Sequence, residues 1–332
     1  MNEELNMTEL ATGRNELTAE QTDHLLHAIA EGFAHRDRER APILHTPAEA
    51  GLEYENVTFP AMDGVPLEGW FIPAKGSSRL LVLNHPMGFS RSGQPTHLEP
   101  WRSEWGTIAG GVNAVEVNFV PDLKILHDAG YNLLTYDLRN HGLSGSANGG
   151  IVASGWLEAR DVVGSLRYVR GRQDLRQMSV GLYSRCLGCN STFAAMTQFP
   201  EEFQDVQCLV GAQPISTDLV VRHQLALAGV AADRLDEAMA DLDQRVTLTT
   251  SLGFSARNTQ EWAKHVQVPT LLYGVHDDVL TEPHDLETML ANIQADDKEL
   301  YWVRDSLARW DGYLEFQRHP AQVLSWFAQH LA

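Results

Sequence analysis

A cysteine stands where this 332-residue chain turns from strand to helix. The run Met178-Ser179-Val180-Gly181-Leu182-Tyr183-Ser184-Arg185-Cys186-Leu187-Gly188-Cys189-Asn190 starts as a short apolar strand and ends as the opening of a helix. A nucleophile held in such a turn adopts strained dihedrals, so the residues two before and two after it must be small. Ser184 and Gly188 satisfy that rule around Cys186. Ser184 as the nucleophile would put Leu182 in a crowded position, a poor fit, so Cys186 is preferred. A helix N-terminus and the neighbouring Arg185 both favour the thiolate, the form that attacks without a strong base. Most free cysteines are merely small, buried and apolar; here the surrounding turn favours chemistry.

Those residues need elements to carry them. From Arg79 onward, short continuous apolar runs alternate with helical stretches, as in a parallel sheet covered on both faces. Strands are predicted at Leu80–Asn84, Tyr131–Tyr136, Ser179–Tyr183, Val206–Val210, Pro269–Tyr273 and Leu300–Val303. Helices are predicted near Pro121–Ala129, Trp156–Val169, Gly188–Thr197, Glu282–Ile293 and Ala321–His330. Glu55–Pro60 and Pro66–Pro73 alternate apolar and polar residues across Asp63-Gly64, an antiparallel hairpin. Ahead of it, residues 1–17 are polar, and Thr18–His35 has helical spacing with a capping box from Thr18 to Gln21. Residues 214–266 interrupt the alternation with helical segments and no convincing strand. The expected organisation is an N-terminal helical segment at 1–50, an α/β core at 51–213 and 267–332, and a helical cap at 214–266 that roofs a pocket.

Taken with two further motifs, the cysteine turn resembles the nucleophile elbow of the α/β-hydrolase superfamily, in the cysteine-bearing form of dienelactone hydrolases and some acyltransferases. Leu83-Asn84-His85-Pro86-Met87 is similar to the superfamily's His-Gly motif, and Tyr136-Asp137-Leu138-Arg139-Asn140-His141-Gly142-Leu143-Ser144 to its Asp-x-Arg-x-x-Gly-x-Ser turn. The resemblance spans about residues 50–331. It implies an α/β-hydrolase fold, doubly wound and mostly parallel, with an oxyanion hole from the backbone N–H of Leu187 and of Met87, since Pro86 has none. Arg139 and His141 are read as loop braces.

The resemblance also implies an acid after the next-to-last strand. Tyr273-Gly274-Val275-His276-Asp277-Asp278 is similar to the superfamily's Gly-x-x-Asp pattern and selects Asp277, with Asp278 as the neighbour that could replace it. The histidine departs from the pattern. In Ala308-Arg309-Trp310-Asp311-Gly312-Tyr313, Arg309 stands at its expected position, which leaves His319 on the same loop as the candidate base; histidine before proline also reads as a helix start. His85, His276 and His284 stay open as bases. His85, Arg185, Arg309 and Trp310 are candidate substrate or charge contacts. Trp101, Trp105 and Phe119 sit near the expected pocket edge and are first read as packing.

Composition narrows the function. With 44 acidic and 25 basic residues the formal charge is -19, which disfavours nucleic acid and anionic membrane surfaces. The start of the chain lacks a secretory pattern, no apolar run is long enough to span a bilayer, and three cysteines make no disulfide framework or zinc site. A cytoplasmic protein without a cofactor is expected, its partner a small-molecule acyl substrate, free or linked to a carrier or coenzyme A; a homodimer stays open. The first expectation for activity is hydrolysis or acyl transfer on an ester, lactone or thioester through a Cys186 acyl-enzyme, in specialised metabolism among other settings. The alternatives are a lyase or cyclase that stabilises an enolate in the same pocket, or a binding protein on a decayed scaffold.

Overall fold

The computed structural model describes residues 16–34, 38–106 and 112–331. The polar start of the chain, up to residue 15, and the expected end of the first helix at His35 lie outside them. Helix α1 covers Ala19–Gly32, and the Thr18–Gln21 capping box closes its N-terminus. The hairpin follows as β1 (Glu55–Pro60) and β2 (Pro66–Ile72). Next come β3 (Arg79–Asn84), a small pair β4 (Gly93–Pro95) and β5 (Glu116–Asn118), α2 (Val120–Asp128), β6 (Asn132–Tyr136) and α3 (Ala159–Gly171). The elbow joins β7 (Ser179–Arg185) to α4 (Leu187–Gln198), and β8 (Val206–Ala212) precedes α5 (Thr217–Leu227), α6 (Leu235–Thr250) and α7 (Thr259–Ala263). The chain ends through β9 (Thr270–Val275), α8 (Pro283–Asn292), β10 (Lys298–Val303), α9 (Arg309–Arg318) and α10 (Ala321–His330).

Eight strands form one sheet in the order β1-β2-β6-β3-β7-β8-β9-β10. Pairing is antiparallel from β1 to β2 and from β2 to β6, and parallel elsewhere. Central strands are continuously apolar because both of their faces are covered: β6, β8 and β9 are buried nearly throughout, whereas the edge strands β1 and β10 alternate or stay half-buried. Helices α3, α4, α7 and α8 pack on one face, through residues such as Val162, Phe193, Trp262 and Met289. Helices α2, α9 and α10 pack on the other, through Leu123, Phe316 and Phe327.

A third apolar cluster stands apart from the sheet and joins α1 to the inserted helices α5 and α6, with Leu26, Ala30, Leu225 and Leu242 at its centre. Thus α1 sides with the insertion, while Trp262, Ala263 and Val266, at the far end of the expected cap, return to the core. Between β10 and α10 the chain forms the helix α9 where a loop was expected. Among the described residues no helix is long and apolar enough to cross a membrane. The parallel strands all end at one edge, so the loops after β3, β7, β8, β9 and β10 converge there, as ligand sites in open α/β sheets do.

Candidate active site

Cys186 sits between β7 and α4 at φ 45° and ψ -111°, a region that non-glycine residues occupy at a cost of about 1–3 kcal/mol. The turn is held from both sides. Cys186 donates its N–H to the Ala212 carbonyl at 2.8 Å, and the Gly188 N–H reaches the His85 carbonyl at 3.1 Å. A Cβ on Gly188 would lie 2.6–2.8 Å from Asn84, which explains the need for glycine. Ser184 is spent in the core: its hydroxyl accepts from Asn84 Nδ2 at 2.8 Å and bonds Thr192 Oγ1 at 2.9 Å. Cys186, 7% exposed, lines a cavity of about 470 Å³. The other two cysteines are buried and do not line that cavity. Burial pushes the Cys208 thiol up to about 12 and the Cys189 thiol well above its usual value.

Leu187, the first residue of α4, and Met87 both line the cavity. Among the described residues neither N–H is committed to a protein acceptor, so both remain available to an oxyanion. His85 cannot act as a base. Its Nδ1 lies 2.7 Å from the Pro86 carbonyl and its Nε2 accepts from the Leu138 N–H at 2.9 Å, so only the neutral Nδ1–H tautomer satisfies both. Burial lowers it from 6.5 to about 4. It braces the loop after β3.

Arg309, at the start of α9, lies within electrostatic reach of the sulfur. Its Nη1 pairs with Asp278 Oδ2, and its Nη2 donates to the Gln213 carbonyl at 2.7 Å. Gln213 returns the contact by donating Nε2 to the Arg309 carbonyl at 2.7 Å. Burial opposes the Arg309 charge, yet Tyr313, Asp278 and Cys186 more than offset it and hold the guanidinium well above its ordinary value. Asp278 is fixed in turn, accepting from the Leu280 N–H at 2.9 Å and the Thr281 hydroxyl at 3.0 Å. Tyr313, one turn along α9, places its hydroxyl within hydrogen-bonding reach of Cys186 and Arg309, and burial pushes its phenol well above its usual value.

Several expected site residues are therefore corrected. Asp277, 58% exposed at its side chain, pairs with His276 at 2.8 Å on the surface; Asp278 faces inward instead. His319 caps the end of α9, 72% exposed at its side chain and bound to Glu315. His284 is exposed on α8. Among the described residues no histidine lines the cavity. Arg185 turns into the core, where it donates to Asp122 at 2.7 Å and lies over the rings of Tyr183 and Phe119. Trp310 packs beside Cys186, its indole N–H donating to Thr96 at 2.9 Å. Of the aromatics, Trp105 reaches the cavity and stands over Gly88, where a Cβ would lie 2.5 Å from its ring. Arg139 braces loops, donating to Asp161 and Asp63.

No protein-family model and no curated protein matches the chain. Solved structures do resemble it. An esterase from Pyrococcus furiosus superposes with a TM-score of 0.63 at 18% identity, covering 89% of this chain and 100% of that one. An α/β hydrolase from Penicillium sp. sh18 gives 0.56 at 17%, covering 84% and 99%. An acylaminoacyl peptidase from Pyrococcus horikoshii gives 0.56 at 12%, covering 84% of this chain and 42% of that one. This chain has the α/β-hydrolase fold.

Proposed function

We propose that this protein is an acyl-transfer enzyme that acts on thioesters or comparably activated acyl donors through a covalent Cys186 intermediate. The observation that carries the proposal is Arg309, locked to Asp278 beside the nucleophile. Arginine is permanently protonated, so it neither takes a proton from a nucleophile nor gives one to a leaving group. It supplies a fixed positive charge.

With an arginine and a phenol that burial keeps protonated as its neighbours, the nucleophile has no base to take its proton and has to arrive as an anion, which a thiol does far more readily than a hydroxyl. In the proposed step the Cys186 thiolate, its proton already lost to solvent, adds to the acyl carbon. The carbonyl electron pair moves to oxygen, where the Leu187 and Met87 N–H groups receive it. Collapse restores the carbonyl and breaks the bond to the leaving group, which departs with its electron pair. A thiolate leaves without a proton, its conjugate acid near 8.5; a simple alkoxide needs a proton, and the O–H beside Cys186, that of Tyr313, is made a weak acid by burial. The acyl group is then released by an incoming nucleophile that brings its own reactivity, a second thiolate or an amine. Water, without a base, reacts slowly. Two of the solved structures of similar shape are named for an esterase and an acylaminoacyl peptidase, both acyl chemistry, which supports the reading.

The test is intact-protein mass spectrometry after mixing with an acyl-N-acetylcysteamine thioester. One acyl group should add to the wild type and none to Cys186→Ala, and cysteamine should discharge it. A wild type that stays unlabelled while the substrate is consumed overturns the proposal and favours the enolate-stabilising lyase or cyclase.

A further inference from the structure

The cavity beyond Cys186 draws its walls from three sources: the core loops, the inserted helix α5, and α1 from the N-terminal segment. We propose that it is the chamber of an unbranched aliphatic acyl chain, and that α1 measures the length of that chain; the acyl identity of the ligand rests on the acyl-transfer reading of Cys186.

The chemistry of the lining selects the ligand. Apart from Arg38 and Glu104, the residues around the cavity are uncharged. Arg38 lies over the Trp105 ring at 5.0 Å, so the polar end of the cavity adjoins the oxyanion loop on which Trp105 rests. Asn190 has no N–H to spare for a ligand: its Nδ2 donates to the carbonyls of Ser154 at 3.2 Å and Ile215 at 2.9 Å, while its Oδ1 accepts from the Ile215 N–H. The remaining walls are mainly aliphatic, with Ile215, Val220, Val221 and Leu280 prominent. Thr217, whose buried hydroxyl has no protein partner among the described residues, offers one polar contact, but along the aliphatic walls a polar chain would lose water without finding partners, whereas a hydrocarbon chain would not.

Helix α1 contributes Ile29, Gly32 and Phe33 to the lining and is anchored as a wall. The Leu17 N–H donates to the Gly229 carbonyl at 2.9 Å, Arg245 pairs with Asp23 at 2.6 Å, and Phe33 meets Phe254 edge-on. Gly32 leaves room in this wall. Among the described residues, a Cβ built there meets only Arg38 Nη2, at 3.9 Å, so there is space for the start of a side chain without displacing described backbone.

The experiment measures the rate of Cys186 acylation by acetyl, hexanoyl and decanoyl thioesters of N-acetylcysteamine, below saturation, by intact mass. In the wild type the rate constant should rise about fourfold per added methylene until the chamber is full, the equivalent of roughly 0.8 kcal/mol each. Gly32→Leu and Ile29→Trp should each lower the decanoyl-to-acetyl ratio at least tenfold. A second arm measures binding of hexanamide and decanamide to Cys186→Ala by calorimetry, with and without Gly32→Leu. Acylation that does not vary with chain length, or a ratio untouched by both variants, overturns the inference while leaving the acyl-transfer reading standing. Length-graded amide binding that Gly32→Leu shortens, with no acylation of the wild type, supports the chamber and removes the acyl-transfer reading.

Discussion

Replacing Arg309 with histidine should convert a stalled acyl-enzyme into a hydrolase. The guanidinium pairs with Asp278 and lies within electrostatic reach of Cys186, so an imidazole on the same backbone position should acquire an acid partner near the acylated sulfur. A positioned base contributes about 10²–10⁴ to proton transfer from water, and that range is the expected gain in deacylation rate. The change also has a cost. The Nη2 bond to the Gln213 carbonyl disappears, and the Asp278 carboxylate exchanges a permanent cation for a group that is neutral much of the time. Together these should destabilise the fold by about 3–5 kcal/mol, the scale of disrupting a buried charge pair, and a urea melt of the variant checks that it is folded in the assay. Stopped-flow kinetics with p-nitrophenyl butyrate separates the steps. The wild type should show a stoichiometric burst and a slow steady state; Arg309→His should keep a burst but raise the steady-state rate at least a hundredfold. Rapid multiple turnover by the wild type, or no change in its steady state on substitution by histidine, would refute the claim that the site lacks a base.

The other predictions concern neighbours of this centre. Asp278→Asn should slow Cys186 acylation by about 10²–10³, the scale of losing one preorganised electrostatic contact, whereas Asp277→Asn, altering an exposed pair with His276, should stay within about twofold; equal effects by intact mass would reject Asp278 as the anchor. Gly188→Ala forces a Cβ to within 2.6–2.8 Å of Asn84 and should cost at least about 2–3 kcal/mol as overpacking, read as a lower urea midpoint; an unchanged midpoint would show that the elbow has slack. His85 titrates near 6.5 unfolded and, by burial, at about 4 when folded. The unfolded chain therefore binds more protons between those values, and the stabilisation is complete above pH 6.5 and lost as pH falls towards 4. At pH 5 this one group should account for on the order of 2 kcal/mol, so His85→Asn should lose that much less stability than the wild type between pH 7 and pH 5; parallel losses in urea melts would contradict the assignment.

The sheet was legible because its strands announce themselves by composition: both faces are buried, so no polar alternation interrupts them. The elbow was legible for a steric reason, the small residues at 184 and 188. What escaped the sequence lies in elements whose side chains answer to distant partners. Helix α9 carries apolar residues at helical spacing, but the motif marked its residues as a loop; Gly312 lets the helix pack against the Gln213 amide, which lies 2.4 Å from where a Cβ would fall. Missing α9 made His319 look like a residue of the catalytic loop and hid Tyr313, for which no local signal exists. Which of Asp277 and Asp278 faces inward was likewise beyond the motif, since two adjacent acids fit its spacing and the Leu280 and Thr281 donors hold the second one inward. Arg185 misled for the opposite reason: adjacency to the nucleophile in sequence says nothing about direction, and its side chain pairs with Asp122 in the core.

The two departures of this site from the serine-histidine arrangement explain one another. A serine beside Arg309 would be inert, because its hydroxyl reaches the alkoxide state only with a base to take the proton. A cysteine needs no such partner, and an arginine there still offers what an anionic nucleophile and an anionic intermediate both use, a charge held in place by Asp278 and Gln213. On the proposed reading, the loss of the histidine removes the step that activates water and spares the step that captures the acyl group. Selectivity then passes to whatever second nucleophile reaches the thioester, and the apolar chamber under α1 and α5, which keeps the acyl chain from water, works in the same direction. A variant that carries both Cys186→Ser and Arg309→His should accordingly recover more esterase turnover than Cys186→Ser alone, and the comparison of those two proteins by steady-state hydrolysis of p-nitrophenyl butyrate checks whether nucleophile and counter-ion act as one unit; equal turnover would show that they do not.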